Sequence, residues 1–386
     1  MTLISDTREL AAFCERIAKS PFVTVDTEFM RERTYWPKLC VVQLGGAEEA
    51  AAIDALADGI DLAPVFELMQ NRDLLKVFHA GRQDLEIFYH LTGKLPEPIF
   101  DTQIAAMVCG FGDAAGYETL VTKLTRAHLD KASRFTDWSA RPLTERQVAY
   151  ALDDVTYLRK VYEKLGKKLA QNGRAEWLAE EIVTLTSPET YDPNPEEVFR
   201  RIKTRSASPR YLAVLREIAA WRELEAQRLD LPRSHVLRDE SMVEIAHHMP
   251  TTPAELARTR GVGRRLAEGS AGAALLAALA RGKALAEKDC PQPIDRPAMP
   301  NGLGPVTDLL KVLLKMKAEE SGAAQRLVAS SDDLDLIAAF GEEADVPALR
   351  GWRREVFGKD ALKLCRGEIG LAVRGKRLDV IVVEPS

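Results

Sequence analysis

The 386-residue sequence predicts an α/β domain with a mixed sheet, followed by two all-α blocks. Three observations predict it. Apolar, β-branched runs of strand length alternate with helical patterns through the first half. That strand signal ends near Thr190, and two proline-rich stretches then divide the remainder into helical pieces of similar extent.

Taken in order, Phe22–Asp26 and Leu39–Leu44 read as strands, with Ala50–Leu56 a weaker third and Leu74–His79 a fourth. Leu62–Gln70 and Asp84–Leu91 carry helical patterns between and after them. A long helix opens at Thr144, where Gln147 completes the S/T-x-x-E/Q capping signature, and it runs to about Asn172, with Gly173 as its stop. Ser187-Pro188 and Tyr191-Asp192-Pro193-Asn194-Pro195 form the first connector. Ser208-Pro209 is an N-cap followed by proline at the first helical position, and Leu212, Leu215, Ile218 and Ala219 line the helix it opens. Helical pieces continue to about Lys288, a second connector runs from Cys290 to Pro305, and another helical block follows. The expected divisions are 1–195, 208–288 and 300–380.

Composition excludes several classes. A hydrophobic fraction of 46% is that of a globular protein, and no apolar run approaches the roughly 20 residues needed to span a bilayer. Asp6, Arg8 and Glu9 do not fit a signal peptide. Cys14, Cys40, Cys109, Cys290 and Cys365 form no CxxC pair and no zinc spacing, so they read as reduced thiols of a cytoplasmic protein. No glycine-rich nucleotide loop occurs, so no nucleotide cofactor is expected. The net charge of −5 is unevenly spread: Met1 to Thr190 holds 22 Lys+Arg against 29 Asp+Glu. Phe199 to Arg216 holds Arg200, Arg201, Lys203, Arg205, Arg210 and Arg216 with no acid. Such a stripe attracts phosphates even on an acidic protein, because screening limits distant charges to about 10 Å; a solvated helix face fits it equally well.

Four acids stand out. Asp26 and Glu28 end the first strand, and residues i and i+2 of a strand face one side. Asp84 falls in the first helical turn after the His79-Ala80-Gly81 loop, and Asp154 lies four residues after Tyr150 on one helical face. Singly, each reads as a solvated loop end, a surface doublet with Asp153, or a core aromatic; their order and context together point to one site. Converging carboxylates resist ionising unless cations hold them, and hard oxygen donors select Mg²⁺ or Mn²⁺ over zinc. Two such ions suit phosphodiester hydrolysis with water as the attacker.

With those residues in place, the chain resembles the bacterial ribonuclease D family, in the tyrosine subgroup of the DEDD exonuclease superfamily. The matching stretches are Val25-Asp26-Thr27-Glu28-Phe29, Tyr35-Trp36-Pro37, Val42-Gln43-Leu44 and His79 through Glu86. They continue through Phe100-Asp101-Thr102-Gln103, Asp137 to Gln147 with Arg141, and Tyr150 to Val155. The resemblance implies a ribonuclease H-like 3′-5′ exonuclease domain and, past Pro209, an HRDC module; the block from Val306 to Leu378 is similar to a second HRDC-like module in length, position and helical character. It further implies that Asp26, Glu28, Asp84 and Asp154 bind two metals, with Tyr150 orienting the attacking water. A tyrosine pKa near 10 favours positioning over proton abstraction at neutral pH. The implied substrate is RNA, tRNA precursors with short 3′ extensions above all, trimmed by a monomer to 5′-monophosphates. A DNA exonuclease and a non-catalytic RNA-binding adaptor are the alternatives.

Other candidates are weaker. His79 could touch substrate or simply end its strand. Gln43 and Trp36 could shape a groove or pack. Arg264 and Arg265, after Gly261-Val262-Gly263, could meet a phosphate or cap a tight turn. His247-His248 are adjacent and cannot chelate from one helix face.

Overall fold

The computed structural model describes residues 2–130, 136–204, 208–293 and 299–383. Arg205 of the basic stripe lies outside the described residues. The chain opens with β1 (Leu3–Ile4) and α1 (Thr7–Ile17), the latter capped by the Asp6 carboxylate accepting from the N–H groups of Arg8 and Glu9. There follow β2 (Phe22–Met30), β3 (Lys38–Gly45), β4 (Ala50–Asp54), α2 (Ala63–Gln70), β5 (Leu75–Phe78), α3 (Arg82–Thr92) and β6 (Ile99–Asp101). Helices α4 (Thr102–Val108), α5 (Tyr117–Thr125), α6 (Glu145–Asn172) and α7 (Ala175–Leu185) complete the domain. The sheet runs β1-β4-β3-β2-β5-β6; β3 is antiparallel to both neighbours and every other pairing is parallel, so the sheet is mixed as expected.

Alternation along β2 sorts its side chains. Val23 and Val25 join Phe13, Ile17, Phe78 and Phe88 in the core on one face. Thr24, Asp26 and Glu28 therefore point to the other face, which α6 covers with Val148, Ala151 and Val155. Helix α6 begins with the expected Thr144–Gln147 capping box and ends at Gly173, whose φ of 67° suits glycine. Thr24 Oγ1 donates to Val155 O at 2.9 Å, clamping the helix to the strand. That close approach needs Gly45, where a Cβ would lie 2.4 Å from Thr24 Oγ1.

The first helical block comprises α8 (Pro209–Leu229), α9 (Arg233–Val236), α10 (Asp239–His248), α11 (Pro253–Leu256), α12 (Arg264–Glu268) and α13 (Ser270–Ala284). Ser208 caps α8 and Pro209 is its first residue, as the sequence predicts. Leu215, Ile218, Ile245, Leu256 and Leu279 form its core, which also takes in Tyr35 of the sheet domain. Tyr35 donates to Glu223 and accepts from Arg233 at 2.9 Å, while Asp230 accepts from the N–H groups of Tyr35 and Trp36.

The last block departs from the all-α expectation. Helices α14 (Gly304–Ser321), α15 (Gln325–Val328), α16 (Ser331–Phe340) and α17 (Gly351–Arg353), the last continuing through a π turn into α18 (Lys359–Cys365), are followed by a hairpin, β7 (Ile369–Arg374) and β8 (Arg377–Val382). Gly375, at φ 65°, supplies the positive φ that a two-residue hairpin turn requires. Ile369, Leu371, Leu378 and Val380 pack inward while Val373 and Val382 stay exposed, and the apolar residues alternate along both strands as in a half-buried hairpin.

Among the described residues this block has no core of its own. Leu310, Leu313, Ile337, Phe357 and Leu362 share one buried cluster with Ala105, Leu120, Val161 and Leu165 of the sheet domain. Trp352 stacks on Trp177 at 4.2 Å, and Ala324 N–H donates to Met107 O at 2.9 Å. A shared core predicts shared unfolding: tryptophan fluorescence and far-UV dichroism should report one coincident transition. Phe357→Ala should lower its stability by about 3–5 kcal/mol. A separate early transition for the last block would contradict this.

Candidate active site

The acids meet where β2 runs past the end of β5. Strand β5 pairs with β2 only over Phe22–Thr24 and stops at Phe78, leaving Asp26 and Glu28 beyond its end. A register shift between Glu28 and Phe29 bends the strand beside them. From α6 comes Asp154, and one oxygen from each of Asp26, Glu28 and Asp154 lies within 4.8 Å of the others. Among the described residues this is the one cluster of three or more such groups able to hold a metal. Its donors are all carboxylate oxygens, which fits a hard divalent cation.

Asp84 reaches the site differently. The tight His79-Ala80-Gly81 loop starts α3, with Ala80 at φ 54° and Gly81 so close to Phe78 that a Cβ would lie 2.6 Å away. Asp84, in the first turn, accepts from the Thr27 hydroxyl, which points to the opposite face of β2 from Asp26 and Glu28. Asp84 is thus the direct neighbour of Asp26 without belonging to the three-oxygen cluster.

Crowding shows in the protonation equilibria. Burial first, then the charges of Asp84, Asp154 and Glu28, push the Asp26 carboxyl well above the usual carboxylate range. Burial pushes Asp84 up to about 6, against the lowering effect of the Thr27 hydroxyl. Gln43 sits directly opposite Asp26 across the β2–β3 ladder. It is fully buried, and among the described residues neither amide atom finds a hydrogen-bond partner, leaving an unmet donor beside the most crowded acid.

Asp26, Asp154, Tyr150 and His79 line one cavity of about 280 Å³, whereas Glu28 lines an adjoining cleft of about 680 Å³ with Arg31, Lys38 and Trp138. The acid cluster therefore lies between two openings. Tyr150 is braced by Trp138, ring to ring at 6.0 Å. Thr102 Oγ1 donates to Phe78 O, so it accepts from His79 Nδ1–H at 3.0 Å and leaves Nε2 as an acceptor. Burial lowers the His79 pKa, which keeps the ring neutral.

Several supporting residues carry no signal of their own in the sequence. Tyr117 directs its hydroxyl at the carbonyls of Asp153 and Asp154, at 2.9 and 2.7 Å, bracing α6 at the acid. Asp101 caps α4 and accepts from the N–H groups of Ala80 and Gly81, fixing the loop before Asp84. Arg141 binds Asp54 through two nitrogens and caps the carbonyls of Trp138 and Cys40, which anchors the approach to α6. Asp101 and Arg141 lie in stretches that carry the family resemblance; Tyr117 does not. Trp36 stacks on His90 at 3.9 Å and packs rather than lining these clefts. Arg200 pairs with Glu197 in the connector, Lys203 is exposed nearby, and Arg264 and Arg265 are exposed at the start of α12. The structure does not bring these four basic residues to the acids.

Comparison with known proteins agrees with the geometry. Residues 1–170 match a 3′-5′ exonuclease family and residues 211–279 match the HRDC domain. The chain is 53% identical to ribonuclease D of Granulibacter bethesdensis over 98% of its own length and 96% of that protein's. It is 50% identical to ribonuclease D of Nitrobacter hamburgensis over the whole of both chains. Among solved structures it resembles Escherichia coli RNase D, an exoribonuclease involved in structured RNA processing, with 31% identity and a TM-score of 0.80, covering 95% of this chain and 98% of that one. No helix among the described residues is long and apolar enough to cross a membrane.

The raised carboxyls make a stability prediction. With folded pKa values above the unfolded value of about 3.9, their penalty is absent in acid and grows as pH rises through the folded values. Metal-free Asp26→Asn should therefore have a higher Tm than the parent near pH 8 and nearly the same Tm near pH 4. An equal shift at both pH values would contradict the cause assigned to it.

Proposed function

The chain belongs to the ribonuclease D family of 3′-5′ exoribonucleases, and we propose that Asp26, Glu28, Asp84 and Asp154 hold the divalent cations for its reaction. The observation that carries this reading is the convergence of carboxylate oxygens from β2 and α6 within 4.8 Å, with Asp84 beside them. Mg²⁺ or Mn²⁺, as a pair, would activate water and neutralise the charge developing on the departing 3′ oxygen. A non-catalytic adaptor would have no use for such a costly cluster.

The chain's own residues do the positioning. Asp26 and Glu28 share one strand face, so their spacing is fixed by the backbone; Asp154 is set against them by the α6–β2 clamp. Tyr150, one helical turn before Asp154, orients the attacking water through its hydroxyl. His79, neutral and with Nε2 available, accepts a hydrogen bond from a terminal ribose hydroxyl. The product is a 5′-monophosphate.

The substrates under this reading are tRNA precursors with short 3′ extensions, acted on in the cytoplasm by a monomer. The HRDC block grips the folded RNA body while a single-stranded 3′ end enters the acidic site. The block at 300–380 serves as a second HRDC-like module closed by the β7–β8 hairpin.

A 5′-labelled tRNA with a short 3′ extension tests the chemistry. With Mn²⁺, a ladder should retreat from the 3′ end and stall near the mature terminus, and chelator should abolish it. Asp84→Asn or Asp154→Asn should cost about 10³-fold in kcat, or ~4 kcal/mol of barrier, and Tyr150→Phe about 10²-fold with little change in KM. Turnover of Asp84→Asn at the parent rate would overturn the assignment.

A further inference from the structure

A second cleft lies where the sheet domain, the connector and the first helical block meet. Its volume is about 720 Å³, and Arg31, Arg201, Arg222, Arg233 and Arg238 line it against Glu223, Asp239 and Glu240. Lining charge is thus net positive in a chain whose overall charge is −5. The acids are largely engaged in holding the fold. Glu223 takes Arg233 and the Tyr35 hydroxyl, and Asp239 takes Arg222 at 2.5 Å. Arg201 and Arg238 differ: both are exposed, and neither forms an ion pair or side-chain hydrogen bond among the described residues. Free planar guanidinium forks facing an open cleft match phosphate oxygens.

Continuity identifies the occupant. Arg31 and Thr34 line this cleft and also the one containing Glu28, so the two openings adjoin along one wall. Arg31 is held rigidly there, both terminal nitrogens donating to Glu86 at 2.6 and 2.7 Å. A free mononucleotide would need only one of these spaces; a strand occupies both in succession.

We infer that this interdomain cleft is a phosphate-binding track for the RNA strand 5′ of the nucleotide being removed, with Arg201 and Arg238 as its contacts. The inference rests on the proposed placement of the reaction at the Asp26–Glu28–Asp154 cluster. It explains how a long RNA is retained by a domain whose own charge repels it: the grip lies where the domains meet.

The test uses the full chain and the double variant Arg201→Ala/Arg238→Ala, both positions being exposed and so outside the core. First, binding of a 12-nucleotide single-stranded RNA is measured in chelator across a KCl series. Two lost phosphate contacts should weaken binding by roughly tenfold and reduce the slope of log Kd against log salt by about 1.4. Second, KM is compared for that RNA and a trinucleotide with Mn²⁺. The parent's KM advantage for the longer RNA should collapse by roughly tenfold in the variant. An unchanged salt slope, or an unchanged ratio of the two KM values, overturns the inference. The binding arm needs no turnover, so failure of the hydrolytic reading would show separately as loss of metal-dependent cleavage in the parent.

Discussion

Mutual repulsion among carboxylates is the constraint on which the rest of this structure depends. Asp26, Glu28 and Asp154 hold oxygens within 4.8 Å of one another, and Asp84 adds a fourth charge to Asp26. Burial and three acid neighbours drive the Asp26 carboxyl upward, against the lowering effect of a backbone hydrogen bond at Thr27. The surrounding protein must therefore hold the acids together by other means. Thr24 on Val155 O, Gly45 beneath it, Tyr117 on the carbonyls of Asp153 and Asp154, and Arg141 on Asp54 all press α6 against the sheet. Asp101 does the same for the loop that aims Asp84. These contacts are uncharged or satisfied elsewhere, so they do not relieve the repulsion. Under the proposed assignment, divalent cations would relieve it.

Much of this was legible in the sequence because it is local. The capping box at Thr144, the glycine stop at Gly173 and the Ser208-Pro209 start act within a few residues, and each helix end falls where those signals place it. Asp26 and Glu28 share a face by strand alternation alone. What stayed hidden depends on distant partners or short elements. Strands β1 and β6 are two and three residues long, too short for a period to show. Thr27 meets Asp84 only because β5 ends early, and Tyr117 braces backbone atoms that carry no side-chain signature. The β7–β8 hairpin does alternate, Ile369, Leu371 and Val373 facing Leu378, Val380 and Val382, a strand signal that the all-α reading of this block passes over.

Domain apposition was the least legible feature, since it follows from surfaces rather than runs. The last block looked independent by its proline-rich connector, yet Phe357 and Leu362 complete a core begun by α4, α5 and α6. The basic stripe proved divided. Arg200 turns to Glu197, Arg210 caps the carbonyls ending α13, and Arg201 lines the cleft beside Tyr35. The same Tyr35-Trp36 loop both docks the HRDC block and walls that cleft.

If the cluster is held in a strained, partly protonated state until cations arrive, binding must displace protons. Calorimetric titration of Mn²⁺ into the metal-free protein at about pH 6, repeated in two buffers of different ionisation enthalpy, measures this directly. With Asp84 near 6 and Asp26 well above its usual range, the heats should differ between buffers by an amount corresponding to net proton release. Identical heats in both buffers, or no saturable binding, would contradict the view that carboxylate repulsion relieved by a divalent cation organises this site.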